Sequence, residues 1–415
     1  MQPSTFQQNL DRYAELAVKV GLNLQPGQRL LIVADPLEVA PLVRAVTKCA
    51  YQNGCRLVTV LWGDETLERM RFQYAPRDSF EEHAAWLTEG RLRSIEQGDP
   101  FLYILSGDPE LLKDQDPALI EIASRTFWQH YKPISNHQGK SSVQWSVVSP
   151  PTLSWATRVF PNDPPQEAEA HLWEAVFQAC RLDGPDAVGV WQDQVKSLSK
   201  RKEYLTTKQY TGLHFSGPGT DLRIGLPAGH IWNGGSIQTP AGVAFVPNLP
   251  TEEVFTMPHK AKAEGTVTAT RPLFYAGNMI EGFHLTFSEG KVVDFAARKG
   301  ENILRTILET DENSKRLGEV ALIPHRSPIS QSNLVFLHTL YDENAANHLA
   351  LGSAYQFTLR DGEGMTEEEF AAAGGNQSLS HVDFMFGSAE MNVDGLREDG
   401  TAEPVMRAGE WAFDL

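Results

Sequence analysis

Phe6, Leu10, Tyr13, Leu16 and Val20 recur at three- and four-residue spacing near the start of the chain. That period predicts an amphipathic helix, closed by Gly21. After a turn at Gln25-Pro26-Gly27 the pattern becomes a short continuous apolar run over 29–34, as in a buried strand. Residues 37–52 return to the helical period and stop at Gly54. Residues 57–62 and 101–105 predict two further strands, with a helix rich in Glu and Arg following the first of them. Strands alternating with helices predict parallel βαβ units, hence a doubly wound α/β domain with a mainly parallel sheet. The segment 143–161 is interrupted by Pro150, Pro151 and Pro161, and a helix over about 167–180 leads into a polar stretch at 197–207. A domain boundary is expected there, giving an α/β domain over 1–207 and a second domain over 208–415.

Beyond Tyr210 glycine and proline become frequent and the apolar runs shorten, to strands at 214–215, 221–224, 284–287 and 292–295. One helix is expected near 302–308. The second half is therefore expected to be a strand-rich, antiparallel α+β domain. No internal repeat or low-complexity segment interrupts it.

Length and charge narrow the function classes. The 415 residues suit two domains at ~100–200 residues each. A net charge of −17 argues against binding a phosphate backbone, which needs a basic face to release counterions, so no nucleic-acid partner is expected. Cys49, Cys55 and Cys180 are too few and too scattered for a disulfide framework or a thiolate zinc site. No basic-then-apolar leader opens the chain, and no apolar run approaches the ~20 residues of a membrane span. A cytoplasmic protein with no membrane partner is the expectation. The first strand–helix turn reads Ala34-Asp35-Pro36, without the glycines of a dinucleotide site. The chain also has no P-loop, no Gly-x-Ser-x-Gly elbow and no His-Glu-x-x-His. The α/β half is therefore assigned a structural or assembly role.

Candidate chemistry collects in the last third. His381 and Asp383 alternate along a strand pattern over 379–387, so both side chains project from one face and can reach one ion. Asp342-Glu343-Asn344-Ala345-Ala346-Asn347-His348 follows an expected strand over 334–340 and sets acids and an imidazole at its end. Asp342 and Asn344 are read as turn caps. Glu319 opens an apolar strand, and Glu252 and Glu253 stand side by side in an extended segment, where they point to opposite faces. Taken one at a time, each of these acids reads as a solvated carboxylate. Together, carboxylates and imidazoles without cysteine form an oxygen and nitrogen set suited to Zn²⁺, Co²⁺ or Mn²⁺. Such a set can hold two divalent ions roughly 3.5–4 Å apart.

Four ordered motifs, 248–256, 317–322, 342–348 and 381–383, together with 13–23 and 217–226, resemble the aminopeptidase T and aminopeptidase S family, nearly end to end. The resemblance implies a cocatalytic metallo-aminopeptidase that uses an activated bridging water. Glu253, Glu319, His348, His381 and Asp383 match the family's metal ligands, with Glu319 bridging the ions, and Tyr355 matches an active-site tyrosine. Glu343 is added as a ligand or acid–base group, or as a carboxylate orienting His348. The implied cofactors are two divalent ions per subunit, and the implied partners are short peptides with a free N-terminus and a second copy in a homodimer. One segment, 235–242, departs from the family by being less basic than expected. Two alternatives are a dinuclear hydrolase of other amides or esters, and a non-catalytic binding protein on the same fold.

Overall fold

The first apolar runs alternate with helices along the chain and form strands. In the computed structural model, which describes residues 3–275 and 277–415, strands Leu57–Trp62, Arg29–Asp35, Phe101–Leu105 and Trp145–Val148 lie side by side in that order. All three pairings are parallel. Phe101–Leu105, the most apolar strand, is central and almost wholly buried, whereas Leu57–Trp62 is an edge strand that alternates toward solvent. The fourth strand was hidden by the prolines that follow it. Those prolines fall after Val148, where they end the strand rather than prevent it.

By internal contacts the chain divides into two units, Met1–Asp193 with Ser236–Pro250, and Gln194–Gly235 with Thr251–Leu415. The polar stretch 197–207 is not a linker: it lies within the helix Ala187–Lys208, where its apolar members Leu198 and Leu205 are buried. Residues 236–250 return to the first unit, where Val147 donates to the carbonyl of Pro247 at 2.7 Å.

The second unit holds two antiparallel sheets among its described residues. The larger has nine strands and includes Gly212–Gly217, Thr220–Gly225 and Asn392–Leu396. The smaller has four, in the order His381–Met385, His348–Gly352, Leu317–Leu322, Val254–Thr256. Phe215 against Phe386, and Phe283 against Phe384, join them through a shared core, with ring centroids 5.1 Å and 5.7 Å apart. The expected strand over 334–340 does not form. Asp342 accepts hydrogen bonds from the amides of Phe336 and His338 at 2.7 and 3.0 Å, which turns the segment into the short helix Thr339–Asp342.

Candidate metal centre

The four-stranded sheet gathers the acids and imidazoles on one face through its register. Glu319 pairs with Ala350 and Ala350 with Asp383, Ala321 pairs with both His348 and Phe255, and Gly352 pairs with His381. Directly opposed residues in an antiparallel sheet share a face, as do residues two apart on one strand. Glu319, His348, His381 and Asp383 therefore project together. Glu253 precedes Phe255 by two and continues that face, while Glu252 falls on the other. The reverse face supplies Val320, Leu322, Leu349, Leu351, Val382 and Phe384 to the core. Ala321, Ala350 and Gly352 leave the polar face uncrowded between the larger side chains.

Gly318 sets the aim of Glu319. The ladder shifts register between Leu317 and Glu319, and a Cβ on Gly318 would stand 2.2 Å from the carbonyl oxygen of Ser353. Only glycine permits that approach, and the irregularity turns the next side chain toward the cluster.

The resulting geometry is tight. His348 Nε2 lies 3.2 Å from Glu253 Oε2 and 3.4 Å from Glu319 Oε1. His381 Nε2 lies 3.7 Å from Glu319 Oε2 and 3.5 Å from Asp383 Oδ1, which is 4.0 Å from His348 Nε2. The two oxygens of Glu319 thus face different imidazoles. Ligand atoms of Glu253, Glu319 and His348 all fall within 4.8 Å of one another. On the far side of each ring, Nδ1 meets a backbone carbonyl, Ser353 O for His381 at 2.7 Å and Ala346 O for His348 at 3.4 Å. Donation from Nδ1–H to those carbonyls leaves both Nε2 atoms turned to the carboxylates, as metal-ligating histidines require.

The carboxylates are not solvated. Glu252, Glu253 and Glu319 are 2%, 8% and 6% exposed, which overturns the solvated reading of each. Glu253 Oε2 and Asp383 Oδ1 are buried and accept no hydrogen bond. Buried anionic oxygens without donors are costly unless a cation meets them, so the donor set fits divalent metal. The same crowding moves the titrations. Burial, then the charges of Asp383 and Glu253, push Glu319 up to about 7 against the pull of His348. Burial works to lower His381, but Asp383 outweighs it and lifts the imidazole to about 10. His348 is raised in the same way by Glu253 and Glu319.

Glu343 stands beside the cluster. Burial and then the charges of Glu253 and Asp383 raise its pKa well above the carboxylate range. Tyr355 packs its ring on Phe357 and against His381, at centroid distances of 5.2 and 4.9 Å. Burial of its hydroxyl, with Glu319 and Asp383 next in effect, raises that group too. Tyr355 as a whole residue is 42% exposed, its hydroxyl end being the buried part, so it is not a core tyrosine. Asp342 is outside the cluster and caps its turn, as expected. Asn344 does more than cap: its Oδ1 accepts from the amide of Glu252 at 2.8 Å, fixing the segment that carries Glu253. Glu252 accepts from Gln194 Nε2 at 3.0 Å on the opposite side. The Ser353 carbonyl that orients His381 had no sequence signal, because any residue could supply it.

A family model described as thermophilic metalloprotease (M29) matches residues 6–411. Aminopeptidase 2 of Geobacillus stearothermophilus is 47% identical over 99% of both chains. Aminopeptidase T of Thermus thermophilus is 45% identical over 98% of this chain and 99% of its own. The solved structure of wild-type AmpT from Thermus thermophilus superposes with a TM-score of 0.93 at 44% identity, covering 98% of this chain and all of that one.

Proposed function

The chain belongs to the M29 family of thermophilic metalloproteases, and from that premise we infer a metallo-aminopeptidase that releases N-terminal residues from short peptides at a two-ion site. The observation that carries the two-ion reading is the division of Glu319 between His348 and His381. Glu253, His348 and one oxygen of Glu319 would hold the first ion. Asp383, His381 and the other oxygen of Glu319 would hold the second. Zn²⁺, Co²⁺ and Mn²⁺ all suit this donor set. When bound, such ions supply Lewis acidity to the scissile carbonyl and acidify a water toward ~7, and a neutral α-amine can ligate one of them.

The protein's own groups do the rest. The Tyr355 hydroxyl stays protonated and is poised to donate to the oxygen of the attacked carbonyl. Glu343, whose carboxyl is raised above the ordinary carboxylate range by burial and then by the charges of Glu253 and Asp383, is suited to exchange a proton with the nucleophilic water and the leaving amine. The Ser353 carbonyl holds the His381 ring. A homodimer in which the N-terminal units limit access to short peptides fits a domain without a cofactor fingerprint, and closed twofold dimers are the commonest soluble assembly. A cytoplasmic location belongs to the same reading.

The test compares a dipeptide, a pentapeptide and a denatured protein, each with free and acetylated N-termini, while light scattering gives the mass. Fast cleavage of free short peptides by a dimer is expected. Equal cleavage of acetylated peptides or simple esters would move the protein to a general dinuclear hydrolase, and no cleavage at all to a binding protein.

Glu252 and Glu253 give an internal contrast. Glu253→Ala should lower metal content and activity together. Glu252→Ala should keep both ions but lower thermal stability, by about 1–3 kcal/mol for losing the buried partner of Gln194. Metal analysis and melting curves of the two variants separate these outcomes, and the reverse pattern would shift the ligand assignment by one residue.

A further inference from the structure

Beside the carboxylates and imidazoles the same sheet face presents a wall of aromatic rings. Phe255 shares that face with His348 through its pairing to Ala321. Its ring meets Tyr355 and Phe357 edge-on, at centroid distances of 6.5 and 6.2 Å. Tyr355 and Phe357 are stacked within 16° of parallel, and Tyr355 reaches His381. Phe255 and Phe357 are half-buried and Tyr355 is exposed. The apolar residues behind them behave differently: Met257, Leu359 and Phe370 are closed into a separate small core. Three contiguous rings left partly in water beside a polar cluster are an apolar surface awaiting a ligand, and binding pockets combine such surfaces with a few convergent polar groups.

We propose that Phe255, Tyr355 and Phe357 receive the side chain of the substrate's first residue, and that the enzyme prefers bulky apolar first residues of the leucine and phenylalanine class. The inference rests on the aminopeptidase reading. In that reaction the α-amine and the scissile carbonyl are both held at the cluster, and both are attached to the α-carbon of the first residue. Its side chain therefore leaves from an atom already beside His381, which Tyr355 touches. A leucine or phenylalanine side chain placed against the rings removes apolar surface from water on both partners. A first-residue carboxylate would instead lose water against rings that carry no cation.

The experiment measures kcat/KM on the metal-loaded enzyme for the dipeptides Leu-Gly, Phe-Gly, Ala-Gly and Asp-Gly, and for Ala-Leu. Leu-Gly and Phe-Gly should exceed Ala-Gly by at least about 10-fold, the scale that even one methylene reaches in an apolar pocket. Phe357→Ala should lower kcat/KM for Leu-Gly and Phe-Gly by about 10–100-fold and leave Ala-Gly within about twofold. Retained Ala-Gly turnover is the readout that Tyr355 has not been displaced. If Phe357→Ala does not fold, competitive inhibition of the wild-type enzyme by free L-phenylalanine against L-alanine asks the same question, and tighter phenylalanine inhibition is expected. Equal rates across first residues, or a dependence on the second residue alone with Ala-Leu fastest, would overturn the wall's assignment while leaving an aminopeptidase. Failure to cleave any dipeptide would overturn both readings.

Discussion

Glu319→Gln is expected to reduce turnover by at least ~10²-fold, because even partners outside the ligand shell of metal sites cost 10–100-fold when removed. The amide keeps the volume and the rotamer of the carboxylate but replaces one oxygen with a donor. Whichever way it turns, an NH₂ group then faces His348 Nε2 or His381 Nε2, at positions now held by Oε1 and Oε2. On the proposed two-ion reading, one ion site would lose its shared ligand and both would lose a negative charge. The fold should survive. Burial already pushes Glu319 up to about 7, so a neutral side chain is close to what the metal-free protein prefers there. The measurements are kcat, metal content and the melting temperature of the metal-free variant. Two bound ions with a wild-type rate would take Glu319 out of the centre.

The parts of this site that lie close together in sequence were legible, and the parts assembled by register were not. His381 and Asp383 sit two apart on a strand, so the alternation alone puts them on one face. The same reasoning separates Glu253 from Glu252. Nothing local, however, says that Glu319 will stand in line with Ala350 and Asp383, because that depends on which strands pair and on the irregularity that Gly318 permits. Singly, Glu252, Glu253 and Glu319 read as solvated for the same reason. A carboxylate is most often exposed, and here burial is tolerated only because imidazoles and carboxylates from other strands surround it. The misread strand over 334–340 follows from a competition that apolar pattern does not register, since the Asp342 carboxylate captures two backbone amides before a ladder can. In the α/β half, continuous apolar runs identify three of the four parallel strands, and the prolines that follow Trp145–Val148 mask the fourth.

Removing the ions should abolish activity and lower the melting temperature, and the stability loss should grow between pH 6 and pH 8. The sign follows from Glu319 and His381. Between the ordinary carboxylate value of 4.5 and about 7, folded metal-free protein keeps a proton on Glu319 that the unfolded chain has released, so stability falls as pH rises through that window. His381 adds in the same direction: its contribution is complete below 6.5 and disappears as pH rises toward about 10. Asp383 has the opposite sign, since His381 outweighs burial and holds it low, but its contribution is lost only in acid, outside this range. Metal binding runs against the protons, so it strengthens as pH rises. At a hundredfold excess over Kd each occupied site adds about 2.7 kcal/mol of stability. Melting curves with a chelator, and then with Zn²⁺, Co²⁺ or Mn²⁺ restored, should therefore diverge more at pH 8 than at pH 6, while activity returns with the metal. Identical melting temperatures with and without ions at both pH values, together with full activity in chelator, would mean that the buried carboxylates are neutralised by His348 and His381 alone and that the reaction proceeds without metal.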